Sequence, residues 1–161
     1  MTTPGRTVTV TATPTRTTST SAAPSVPVDV YTTPGHHAVN GREWFTRCEP
    51  YSQTTRCRTD IWAHQVKLVD NKPQWVGGWA FNNLTYLPMD RATWGGNPLA
   101  NTGAWTSPDG RRWSTECGTA TTGRNACRSF IWTKVWEPVS KGSATFHQVD
   151  QWVFNNLVRF K

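Results

Sequence analysis

The first 28 residues of this 161-residue chain contain no aromatic side chain and no acidic one, and their only charges are Arg6 and Arg16. A stretch of Thr, Ser, Pro, Ala and Val cannot offset the entropy of ordering itself, so residues 1–28 read as a disordered linker or stalk. Thr/Pro tracts of this kind stand as extended, often glycosylated spacers outside cells. The Thr7–Thr11 alternation leaves a short strand pairing open there. No apolar run reaches the 18 residues of a membrane span, which excludes a transmembrane segment. No apolar h-region follows Met1, so an export signal or another domain is expected upstream. Catalytic signatures are missing too: there is no G-x-S-x-G, no H-E-x-x-H and no phosphate loop. The ten acidic residues are scattered and none recurs at a matched place, which argues against a paired-carboxylate hydrolase. His36-His37 lacks a second ligand cluster, so no metal or other cofactor is expected.

What the chain does have is a pattern that occurs twice. Gly41-Arg42-Glu43-Trp44 leading to Cys48, Cys57-Arg58 leading to Ile61-Trp62, and Trp79-Ala80-Phe81-Asn82-Asn83-Leu84 form the first copy. Gly110-Arg111-Arg112-Trp113 to Cys117, Cys127-Arg128 to Ile131-Trp132, and Trp152-Val153-Phe154-Asn155-Asn156-Leu157 form the second. Corresponding residues lie 69 to 73 positions apart, so one supersecondary unit has been duplicated. The four cysteines enclose loops of 8 and 9 residues, and their duplication favours Cys48–Cys57 and Cys117–Cys127 disulfides. Each such bridge contributes on the order of 2.5–3 kcal/mol to a small domain. Zinc knuckles use much tighter cysteine spacing. Disulfides imply an oxidising, extracellular or cell-surface location.

β signals dominate the folded part. Asn40-Gly41 and Asp109-Gly110 are hairpin turns at equivalent places. Apolar, β-branched stretches follow Cys57 and Cys127, with Trp62, His64, Val66 and Leu68 sharing one strand face and Ile61 on the other. Third strands are expected around Gln74–Leu87 and Phe146–Phe160. The expectation is therefore an all-β domain over residues 29–161, made of two antiparallel meanders (about 29–88 and 99–161). They pack as a small pseudo-twofold sandwich or partly open barrel. Residues 88–98 connect them, with one helical turn at Met89–Thr93.

The residues Gly41, Arg42, Trp44, Cys57, Arg58, Ile61, Trp62 and Phe81–Leu84, with their second-copy partners, resemble tandem Trp/Cys-repeat domains in exported proteins of high-GC Gram-positive bacteria. The resemblance covers about residues 40–161. It implies an exported location behind a Thr/Pro linker, and it brings no agreed activity.

Ten tryptophans are the richest source of candidate function. Six recur in pairs (Trp44/Trp113, Trp62/Trp132, Trp79/Trp152) and are expected in the core. Trp75, Trp94, Trp105 and Trp136 fall outside the duplicated frame. With Asn97 and Arg91 they are the candidate ligand-binding set: an indole face stacks on a sugar's C–H bonds while amides and guanidinium take its hydroxyls. The Asn82-Asn83 and Asn155-Asn156 pairs are expected to end or bulge a strand, with a repeated sugar site as the sharper alternative. Net charge is +7, or +5 without the two linker arginines, which suits attraction to a polyanion. No basic run or motif points to specific nucleic-acid binding. The leading expectation is a non-catalytic extracellular module that binds cell-envelope or environmental polysaccharide. The alternatives are an adhesin-like or inhibitor-like protein-binding module, and a small secreted hydrolase.

Overall fold

A computed structural model describes residues 27–161. All of the expected stalk except Pro27 and Val28 lies outside the described residues. Eight strands follow in order: β1 Gly35–Val39, β2 Arg42–Tyr51, β3 Thr54–Val69, β4 Lys72–Met89, β5 Gly103–Thr106, β6 Arg112–Cys117, β7 Ala126–Pro138 and β8 Phe146–Phe160. The connector holds one helical turn, α1 (Arg91–Trp94), and a 3-10 turn at Pro98–Ala100. No helix among the described residues is long and apolar enough to cross a membrane. Asn40 and Gly41 both take positive φ, as do Asp70 and Asn71 at the β3–β4 turn. Those conformations are tolerated by Asn, Asp and Gly and match the twist of a two-residue hairpin.

All eight strands form one sheet in the order β1-β2-β3-β4-β8-β7-β6-β5. Each repeat is an antiparallel meander, as its alternation predicts, and the sheet is not closed into a barrel. The meanders meet edge to edge through one parallel pair, with Leu84 beside Asn156, Thr85 beside Leu157 and Tyr86 beside Val158. Equivalent residues Leu84 and Leu157 are thus one rung apart and point to opposite faces. A twofold axis lying in the sheet along the strands produces that relation. The core face of the first repeat consequently lies on the opposite side from the core face of the second.

Each core face is covered by the segment that precedes its repeat. Over the first, the Val30 carbonyl accepts hydrogen bonds from the Thr46 and Thr59 hydroxyls, and Tyr31 meets Trp44 edge-on at 6.0 Å. Asp29 ties this strap to Arg159 at the end of β8. Over the second, Trp94, Leu99 and Ala100 of the connector pack on Tyr86, Cys127, Val158 and Phe160.

Beneath each cover runs the same buried polar ladder. Thr46, Thr59 and Asn83 lie side by side across β2, β3 and β4, and Thr115, Ser129 and Asn156 across β6, β7 and β8. Hydroxyl pairs bridge the strands at 2.9 Å (Thr46–Thr59) and 2.8 Å (Thr115–Ser129). The register slips at Asn82 and at Asn155, so the first Asn of each pair is the extra residue of a β-bulge. Its side-chain oxygen accepts from the amide of the buried second Asn, at 2.8 and 2.6 Å. Both disulfides join directly opposed residues, Cys48–Cys57 and Cys117–Cys127. Such bridges belong to an oxidising compartment rather than to the cytosol.

Of the six paired tryptophans only Trp44 and Trp113 lie on the covered faces, opposite Ile61 and Ile131, and the expected Trp core does not form. None of the ten is buried, and Trp62, Trp79 and Trp152 are 40–45% exposed. Alternation is the reason: Ile61 and Ile131 take the inward face, so Trp62 and Trp132 point outward. The covered faces are filled instead by Ile61, Ile131, Leu157, Val158, Tyr86 and Phe160 together with small Cys, Thr, Ser and Ala side chains.

Candidate functional site

β4 and β8 pair only from Leu84 and Asn156 onward. Before those points, β3–β4 and β7–β8 run on as separate two-stranded ribbons. The ribbons approach again near their tips, where Trp75 meets Phe146 edge-on at 5.7 Å. Between them lies a cleft of about 430 Å³, lined by His64, Gln65, Val66 and Trp75 of one ribbon and Lys134, Val135, Trp136 and Pro138 of the other.

Trp75 lies opposite Val66 in the first ribbon, and Trp136 lies opposite Gln148 in the second. These are equivalent rungs of the two repeats. Each ribbon therefore presents one indole at the same level, carried on β4 in one case and on β7 in the other. Trp75 is 50% exposed and Trp136 half-buried. Lys134 is held by Asp150 at 3.1 Å, and Glu137 pairs with His147 at 3.0 Å on the same ribbon. The His64 ring lies over Gly77, where any Cβ would approach Nε2 to 3.0 Å. Glycine at 77 thus leaves room for that ring over the ribbon. The lining combines two indoles, an amide, an ammonium and an imidazole, a set suited to stacking and to hydroxyl recognition.

The predicted ligand-binding residues divide into two groups. Trp75 and Trp136 come together in the cleft. Trp94 and Asn97 lie apart from it, beside a second hollow of about 210 Å³ that they share with Tyr51, Thr54 and Met89. There Trp94 packs edge-on against Tyr86 at 5.2 Å, and the Asn97 side chain accepts from Leu99 N at 3.0 Å. Burial pushes the Tyr86 hydroxyl above its usual value, with the Tyr51 hydroxyl adding to the effect. Arg91 lies over the Phe160 ring at 3.9 Å. Trp105 stacks on Trp113 at 5.0 Å and donates to the Thr115 hydroxyl at 3.2 Å. Arg91 thus packs the second repeat's cover onto β8 and Trp105 is engaged with β6, and neither reaches the cleft.

Sequence reasoning missed the outward Trp pairs. Trp62 meets Trp79 at 5.6 Å and Trp132 meets Trp152 at 5.2 Å, both T-shaped across their ribbons. Beside them Arg58 covers Phe81 and Arg128 covers Phe154, each at 4.8 Å. The available signal was the company they keep, since the Trp62 strand face also carries Arg58, Asp60 and His64. Among the histidines, His36 packs on Phe45 at 4.5 Å and His37 bonds the Thr33 carbonyl at 2.6 Å. No three His, Cys, Asp or Glu among the described residues gather as a metal-binding group. Comparison with protein-family models, with curated proteins and with solved structures finds no match to this chain.

Proposed function

We propose that this protein is a non-catalytic extracellular binding or attachment module that grips polysaccharide in the cleft between its two ribbons. The observation that carries this reading is the convergence of Trp75 and Trp136, the two indoles outside the duplicated frame that line one cavity. A sugar ring entering it meets flat aromatic faces, with the Gln65 amide and the Lys134 ammonium within the same lining. The disulfides, the Thr/Pro tract and the resemblance to exported repeat domains favour a cell-envelope or environmental glycan as the ligand. No carboxylate is among the eight lining residues, which favours binding over glycoside hydrolysis, a reaction that needs two across a cleft.

Retention of the full chain on insoluble glycans tests this. Trp75→Ala and Trp136→Ala should each weaken retention about tenfold or more, in line with the loss of one stacked aromatic contact in a desolvated site. Trp94→Ala and Trp105→Ala should leave it nearly unchanged. Retention that is indifferent to Trp75 and Trp136 sinks the glycan reading. Capture of a protein through the outward Trp62, Trp79 and Phe81 face, with no glycan bound, would favour the protein-binding alternative.

A further inference from the structure

The first repeat carries a charge arrangement that the second lacks. Arg47 and Arg58 stand directly opposite each other on β2 and β3. Like charges on one rung repel. Their partners at the equivalent rung of the second repeat are Glu116 and Arg128, an opposite-charge pair. In the first repeat both guanidiniums turn to one carboxylate. Arg58 donates to Asp60 at 3.2 Å, while Arg47 comes no nearer than 3.9 Å. The second repeat has Phe130 in the place of Asp60. Arg56, the third arginine around the same hollow of about 250 Å³, is already bound by Glu49 and lies over Tyr51.

Two cations thus share one anion, and both remain open to solvent, with the Arg47 side chain 63% and the Arg58 side chain 48% exposed. Arg58 is also fixed in place, stacked on Phe81 and hydrogen-bonded to Asp60, so its remaining donors point from a rigid base. The rung is continuous with the cleft. Arg58, Asp60, Trp62, His64 and Val66 alternate along a single face of β3, opposite Phe81, Trp79 and Trp75 on β4. That strip runs for about 26 Å from the Trp75 rung to the arginine rung, at 3.3 Å per residue.

We propose that Arg47 and Arg58 form an oxyanion site at the lower end of this strip, selecting glycans that carry carboxylate or phosphate groups. The inference rests on the glycan reading of the cleft and names the ligand's chemistry. An extended chain seated between Trp75 and Trp136 passes over the Trp62–Trp79 pair and brings an acidic substituent to the unpaired positive charge. The second repeat, with its neutral Glu116–Arg128 rung, offers no equivalent.

Equilibrium binding of the full chain to defined polymers tests the site. Polygalacturonate should bind about tenfold more tightly than its fully methyl-esterified form, the effect of one charge-assisted hydrogen bond. Arg47→Glu reproduces the rung that the second repeat already accommodates. It should remove that tenfold advantage and leave binding of the ester unchanged. Arg47→Gln, checked by the near-ultraviolet signal of the indoles, reads the same loss if the Glu variant folds poorly. Poly(glycerol phosphate) separates the two oxyanions, since the polymer that loses more affinity in the variants carries the group the site prefers. Equal affinity for acid and ester, or variants that bind both like the parent, overturns the proposal. So does poly-glutamate binding as tightly as polygalacturonate with the same sensitivity to Arg47. Loss of ester binding in Trp75→Ala and Trp136→Ala supports the cleft reading whichever way the arginine variants fall.

Discussion

The two repeats agree at nearly every position that faces a strap and differ most on the outward face and around the cleft. The disulfide, the hydroxyl pair, the Asn bulge and the Arg-on-Phe stack recur at matched places. Trp75 against Gln148, Val66 against Trp136, Arg47 against Glu116 and Asp60 against Phe130 do not. A duplicated unit keeps what its own fold requires and is free to vary elsewhere. The outward Trp pairs are the instructive exception, repeated yet exposed. A two-stranded ribbon is marginally stable in water. A cross-strand aromatic pair near its base stabilises it by about 0.5–1.5 kcal/mol, so these tryptophans serve the fold without being buried. Recurrence reports a structural need, and burial is only one form of it.

The equivalence of the two frames can be broken most forcibly at the bridges. Serine replacements at Cys48 and Cys57, or at Cys117 and Cys127, should each lower unfolding free energy on the order of 3 kcal/mol in denaturant titrations. The two losses should agree within about 1 kcal/mol, because the loops are nearly equal in length. A large inequality would mean that one meander supports the other.

A finer test lies in the polar ladders, which match except at one step. The Asn83 side-chain oxygen accepts from the Thr85 hydroxyl at 2.6 Å. In the second repeat Val158 stands at that place, and the Asn156 oxygen has no partner. Thr85→Val should therefore cost about 1–3 kcal/mol by orphaning Asn83. Val158→Thr, nearly the same shape, should be close to neutral because the new hydrogen bond offsets a hydroxyl placed in an apolar cluster. If the Thr85 change proves harmless, the ladder is filler rather than framework.

The smallest effect distinguishes the two covers. Burial pushes the Asp29 carboxyl up, but hydrogen bonding and attraction to Arg159, with the Tyr31 amide, outweigh it and hold the carboxyl below its ordinary 3.8. A depressed folded-state value means that ionised Asp29 stabilises the fold. That contribution is complete above pH 3.8 and is lost as pH falls through the lower folded value. Acid should thus loosen the first strap, and Asp29→Asn should flatten this part of the stability curve. The connector over the second repeat carries no comparable carboxylate contact and should not respond. Amide hydrogen exchange at Thr46 and Thr115, measured at pH 3 and pH 6, reads the difference.

Much of the framework was legible in the chain. Strand alternation, hairpin turns and cysteine spacing are local signals, and each concerns residues that end up as neighbours along or across one ribbon. The Asn pairs were readable as bulges for the same reason. The tryptophans show where such reading stops. Trp62 and Ile61 are both large and apolar, and alternation separates them without saying which face is covered. Only the path of Asp29–Thr33 over one side settles that Ile61 goes inward. The four tryptophans outside the frame formed one candidate group on composition, yet Trp94 lies in the connector's cover and Trp105 on β5, stacked on Trp113. Membership in the cleft depended on which strands the long ribbons brought together.

The order of residues by itself therefore determined the duplicated meanders, their cross-strand disulfides and the bulges, because these arise from interactions within a few rungs of one hairpin. Tertiary structure alone decided that the repeats join through parallel strands about an axis in the sheet. That axis sends their core faces to opposite sides and carries Trp75 and Trp136 to a single cavity. The physical reason is register: one parallel pairing, set by contacts more than seventy residues apart, fixes which face every other side chain presents.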